Sequence, residues 1–194
     1  MFKRILPDFL RFLVRLASDL PNERLLSAVR AVARSVGAEA HNPKWTSLGA
    51  LELDIFSPSK ADFALFLAAA HPLARLEFAK DLNAAPLHRP KAELLAEARE
   101  LFNSERYWEC HEVLEGLWRT KKGEEKRLLQ GMILVCAAFV HHQKGNEEVA
   151  LSVLKRAASQ LESRTSSYGG FDVALLRRNV LSMVDERRLR VFRV

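Results

Sequence analysis

The sequence predicts an α+β chain in two parts, an N-terminal half of strands and helices and a C-terminal half that is helical throughout. Three observations carry this reading. Alternating apolar patterns and helical apolar patterns interleave as far as Leu82, and only the helical period persists beyond Pro90. Between them, Asn83-Ala84-Ala85-Pro86 and His88-Arg89-Pro90 bring two prolines close together without apolar periodicity. With 48% hydrophobic and 28% charged residues, the 194-residue chain is too apolar for disorder and has ample material for a core. The expected division is an α+β domain over 1–83, a linker over 84–90 and a helical bundle over 91–194.

The first stretch, Phe9 to Ala17, alternates: Leu10, Phe12, Val14 and Leu16 point one way, Arg11 and Arg15 the other. Pro21-Asn22 opens a helix that Gly37 ends near Val36. A short extended piece from Ala38 to His41 precedes a turn at Asn42-Pro43. A stronger strand spans about Leu48 to Phe56, with Leu51, Leu53 and Ile55 on one face and Glu52 and Asp54 on the other. Ser57-Pro58-Ser59 caps a helix from Lys60 to Ala70, and LARLEFAKDL supplies the last strand. The order β-α-β-β-α-β is that of ferredoxin-like domains. It makes the first and third strands central neighbours, puts the helices on one face and leaves the other open. That open face is expected to be a solvated charged surface, with Arg11 and Arg15 opposite Glu52 and Asp54, and Arg75 and Glu77 alongside. It lacks an RNP-type motif and the aromatics on which an RNA-recognition sheet stacks bases.

Pro90 opens the first of five helices, with a stripe of Leu94, Leu95, Ala98, Leu101 and Phe102. The others are expected at about 105–119, 124–143, 147–161 and 172–187, with SRTSSYGG (163–170) a flexible loop. The third of these is apolar nearly all round from Leu128 to Val140, which makes it the central helix, and Gly131 would let a neighbour approach closely.

The net charge of +6 is spread over both halves. Its sharpest cluster is Arg177, Arg178, Arg187, Arg188, Arg190 and Arg193. A solvated helix face is the favoured reading of that cluster, ahead of a nucleic-acid or membrane-surface footprint. Cys110 and Cys136 read as buried thiols of a reducing, cytoplasmic compartment. Pro7, Asp8, Arg11 and Arg15 interrupt what would be a signal-peptide core. The longest apolar run, Gly131 to Val140, is half of the roughly 20 residues a membrane span needs. A soluble chain is expected, and a homo-oligomer is allowed.

The densest chemistry lies in FNSERYWECHEVLEGLW, Phe102 to Trp118. On a helix, Tyr107, Cys110, Leu114 and Leu117 form a packing stripe with His111 at its edge. Glu115 is the neighbour of His111 one turn on, a carboxylate able to orient the imidazole as a base, while Glu112 turns away toward Trp108. The run resembles an H-E-x-x-H zinc helix in which the second histidine is Glu115; His111, Glu115 and His141 are therefore candidate ligands of a divalent metal. The E-x-x-H motif of di-iron bundles is absent, because position 108 is Trp. There is no Gly-rich phosphate loop, no G-x-S-x-G and no dinucleotide fingerprint. Gln130, on the central helix, is expected to hydrogen-bond into its neighbour.

FNSERYWECHEVLEGLW followed by LLQGMILVCAAFVHHQKGN resembles the family called domain of unknown function 309. Phe102, Asn103, Tyr107, His111, Glu112, Leu114, Glu115 and Trp118 match its first segment. Leu129, Gln130, Gly131 and Ile133 match the second, and His141, Gly145 and Asn146 the third. The resemblance covers about 92–162 and implies an all-helical bundle without an assigned activity. Two functions of different class remain open. One is a small-molecule or metal site built from His111, Glu112, Glu115, Gln130 and His141 between Trp108 and Trp118, with His111, Glu112 and Glu115 as its catalytic candidates. The other is a non-catalytic interaction protein in which the motif only holds the bundle together.

Overall fold

The computed structural model describes residues 9–83, 89–162 and 165–194. The chain divides into two compact units, Met1–Pro86 and Leu87–Val194. Residues 84–88 of the expected linker lie outside the described part. Arg89, just after them, is tied into the following helix through Glu93 at 3.3 Å and Glu97 at 2.5 Å.

In the first unit, β1 (Leu10–Ala17), β2 (Glu39–Trp45), β3 (Leu51–Ser57) and β4 (Arg75–Asp81) form an antiparallel sheet in the order β2-β3-β1-β4. With α1 (Asn22–Ser35) and α2 (Lys60–Ala70) in the connections, this is the expected ferredoxin-like arrangement. α2 begins where Ser59 accepts a hydrogen bond from the Asp62 amide, as the Ser-Pro-Ser signal requires. Phe12, Val14, Leu16, Leu51, Leu53 and Ile55 join Leu25, Val29, Phe63 and Phe66 in one core. Phe12 and Phe63 stack with ring centroids 3.8 Å apart.

Two sequence expectations for this sheet are corrected. Asn42-Pro43 is not a turn but an irregularity within β2, where Asn42 takes φ 51° and the register slips between His41 and Lys44. β2 is an edge strand, so proline costs it no ladder bond that the sheet needs. The reversal comes later, where the Thr46 and Gly49 amides bond to Ala50 and Thr46 carbonyls. In β4, Leu16 pairs with Leu76 and Arg15 with Phe78, which leaves Glu77 as an extra residue. This bulge puts Phe78, rather than Glu77, beside Arg15.

The centre of the charged face is buried rather than solvated as the sequence suggested, while Arg75 and Glu77 on β4 are exposed. Arg15, Lys44, Glu52 and Asp54 are each 8% exposed or less. Burial is tolerable because the charges are paired. Glu52 accepts from Arg15 at 2.9 Å on one oxygen and from Lys44 at 2.5 Å on the other. Asp54 accepts from Arg11 at 2.9 Å and from the Asn42 amide at 2.6 Å. The guanidinium groups of Arg11 and Arg15 also lie over the Phe56 and Phe78 rings, 5.9 and 5.1 Å from their centroids. Aromatics are therefore present on this face, but they are engaged by arginines.

The second unit contains the five expected helices: α3 (Lys91–Asn103), α4 (Tyr107–Trp118), α5 (Gly123–Gln143), α6 (Glu147–Gln160) and α7 (Val173–Asp185). Successive helices pack on one another, and α5 is central between α4 and α6. It buries residues all round its circumference from Leu128 to Val140. Gly131 sits where α5 meets the end of α6: a Cβ there would lie 2.8 Å from the Leu161 side chain. The SRTSSYGG segment is not simply a loop. Among its described residues, β5 (Ser167–Tyr168) pairs with β6 (Phe171–Asp172) through Gly169-Gly170. Both glycines have positive φ, as a tight two-residue hairpin needs, and a Cβ on Gly169 would strike Leu95. Asp172 then caps α7 by accepting from the Leu175 amide at 2.7 Å. Among the described residues, no helix is long and apolar enough to cross a membrane.

Candidate metal centre on the fourth helix

α4 starts abruptly. Glu105 adopts φ 57°, and its carbonyl accepts from the buried Gln143 amide at 2.8 Å. Arg106 then grips the buried Glu109 with two hydrogen bonds of 2.6 and 2.7 Å. Tyr107, Cys110, Leu114 and Leu117 face the core as the helical period requires. Tyr107 stacks on Phe139 at 4.7 Å, and Phe102 meets both rings edge-on. Asn103 pins the backbone of Val194, donating to its carbonyl at 3.1 Å and accepting from its amide at 2.9 Å. Part of the motif is therefore packing.

The remainder converges on the helix edge. His111, Glu112 and Glu115 each direct one metal-competent atom into a group whose members lie within 4.8 Å of one another. The Nδ1 atom of His111 is 3.7 Å from a Glu112 oxygen and 3.9 Å from a Glu115 oxygen. These distances exceed a hydrogen bond, and the buried Nδ1 has no hydrogen-bond partner among the described residues. Glu112 thus does not turn away from His111 as one-residue rotation suggests, because its long side chain swings back. The other Glu115 oxygen accepts from the exposed Arg119 at 3.0 Å. The Trp108 indole lies parallel to the imidazole, with 5.5 Å between centroids.

Trp118 is occupied by Lys126, whose ammonium sits 4.1 Å from the centre of its ring. Gln130 is half-buried on α5, and the hydrogen bond expected of its amide is not formed among the described residues. His141 lies outside the cluster of metal-competent atoms. Its Nδ1 is buried without a hydrogen-bond partner among the described residues, and burial, aided by Lys144, holds its pKa below the ordinary 6.5. Its neighbour His142 instead places Nδ1 2.6 Å from a Glu147 carboxylate oxygen. Sequence reasoning passed over the Arg106–Glu109 pair and the partner of Glu115. The i,i+3 and i,i+4 spacing of opposite charges was the signal available for both. Of the arginine cluster, Arg190 is committed to Glu186 and Ser182. A cleft of about 460 Å³ lies in the first unit beside Ser18, Asp19, His71 and Arg75, where no sequence motif pointed.

The model of a family described as a domain of unknown function (DUF309) matches residues 95–153, from within α3 to within α6. This is the family the motif pattern indicated, and the N-terminal unit lies outside the match. An uncharacterized protein of Aquifex aeolicus (strain VF5) is 30% identical over 88 residues, 45% of this chain and 26% of that protein. The chain therefore spans about a quarter of that curated relative's length. The crystal structure of a conserved hypothetical protein from Thermus thermophilus is similar at 35% identity, covering 50% of this chain and 99% of that one, with a TM-score of 0.42.

Proposed function

We propose that the helical unit binds a divalent cation on α4, with His111 Nδ1 and the carboxylates of Glu112 and Glu115 as its ligands. The observation that carries this is their convergence within 4.8 Å at spacings too long for hydrogen bonds. Two donors each ~2.1 Å from a tetrahedral ion stand about 3.4 Å apart, so small rotamer changes bring these groups into ligating positions. One imidazole and two carboxylates suit zinc or a similar first-row dication. The two carboxylates balance the ion's charge. The donor set has three protein groups, the number that leaves a position for water or substrate in catalytic zinc sites. Trp108 shields one side of the imidazole and holds its plane.

Metal analysis of freshly purified protein, without purification tag or added metal, tests the reading. A first-row dication approaching one per chain, and lost in His111→Ala, is the expected result. Equal trace metal in both proteins rules it out.

A further inference from the structure

The chain's two cysteines stand on adjacent helices, Cys110 on α4 and Cys136 on α5, and their sulfur atoms are 3.3 Å apart. Both are free and buried. Neither sulfur is among the metal-competent atoms grouped around His111. We propose that Cys110 and Cys136 form an oxidisable dithiol, which hydrogen peroxide converts to a disulfide tying α4 to α5.

The chemistry takes two steps. The sulfur of one thiol, as its thiolate, attacks a peroxide oxygen; the O–O bond breaks, and sulfenic acid and water result. The second thiol, as its thiolate, then attacks the sulfenic sulfur. An S–S bond forms, the S–O bond breaks, and the departing hydroxide leaves as water with the thiol proton. The sulfurs lose two electrons in all, and the peroxide is reduced to water. The second step needs no diffusing partner, since the sulfurs must close only from 3.3 Å to about 2.05 Å. A neighbour this close intercepts the sulfenic acid before a second peroxide can.

Burial sets the pace. Both thiols are enclosed by the packed helices, so peroxide does not reach them in the closed unit. The first step then depends on transient opening of the α4–α5 contact, and the pair responds to sustained rather than brief exposure. Cys110 is next in sequence to His111, so the tie would stiffen the helix that carries the candidate cation ligands. The inference does not rest on the cation reading.

The test uses the full chain and hydrogen peroxide, with peptide mapping under non-reducing conditions. The expected product is a Cys110–Cys136 linked peptide in monomeric protein. Its melting temperature should be higher by roughly 10 °C for the helical unit, and a reductant should reverse the change. Cys136→Ala should give no internal link under the same treatment, and the mapping of the unsubstituted chain decides the matter even if that variant folds poorly. Two intact thiols after prolonged treatment, sulfinic acid in place of the link, links between chains, or a link that lowers the melting temperature would each overturn the proposal.

Discussion

The imidazole of His111 lies flat against the indole of Trp108, with 4° between the ring planes and 5.5 Å between their centroids. The stack fixes the plane in which Nδ1 faces Glu112 and Glu115. Trp108 is 37% exposed and contributes little to the core, so its effect on the site is separable from its effect on stability. Trp108→Ala should weaken zinc binding by about tenfold, as loss of a group that orients a ligand does, while thermal melting changes little. Calorimetric titration beside a melting curve checks both halves. Undiminished affinity would mean that the stack has no part in holding the ligand.

Glu52 lies between Arg15 and Lys44 on the first unit's charged face. Removing it takes a buried counter-charge from both Arg15 and Lys44. Glu52→Ala should cost about 3–5 kcal/mol of stability, in the range for breaking a buried ion pair. Denaturant unfolding followed by a probe in the N-terminal unit reads this directly. A loss below about 1 kcal/mol would show the network to be as weak as a surface pair.

Gly131 and Gly116 are both helical glycines, with opposite surroundings. At Gly131 a Cβ would press on the Leu161 side chain at 2.8 Å and the Gln160 backbone at 3.3 Å, whereas at Gly116 nothing lies within 4 Å. Gly131→Ala should destabilise by about 1–3 kcal/mol through overpacking. Gly116→Ala should stabilise by about 0.5–1 kcal/mol through helix propensity. Equilibrium unfolding of the pair gives a difference in sign, and equal effects would contradict the close α5–α6 approach.

His141 has a pKa lowered by burial, with Lys144 adding to the effect. The unfolded chain therefore binds its proton more readily than the folded one. Its contribution to stability is present above the ordinary 6.5 and is lost as pH falls through 6.5 toward the folded value. NMR titration should place its midpoint below 6.5, and His141→Gln should flatten the stability profile across that window. A midpoint above 6.5 contradicts the burial argument.

The architecture was legible because each element has a strong periodic pattern: Leu51, Leu53 and Ile55 in β3, and the apolar circumference of α5, leave little choice. What period alone does not give is register. The bulge at Glu77 reverses which β4 residues share a face with Arg15, and no composition signal marks it. Burial of the charged face was missed for a related reason. Opposite charges on neighbouring strands read equally well as a solvated surface or as a desolvated network, and only the pairing geometry of Glu52 and Asp54 distinguishes them. In the helical unit, the His111–Glu115 proximity follows from a one-turn spacing on a single helix. His141 lies on the neighbouring helix and outside that group, and placing it needs rotations about the helix axes that the sequence does not carry.

The proposed cation site is tested most directly by calorimetric titration of the full chain with zinc, beside His111→Ala and Glu115→Ala. One ion per chain is expected, with affinity falling at least about tenfold in each variant while melting temperatures stay near that of the unsubstituted protein. No saturable heat of binding, or equal binding in all three proteins, would contradict a cation held by His111, Glu112 and Glu115.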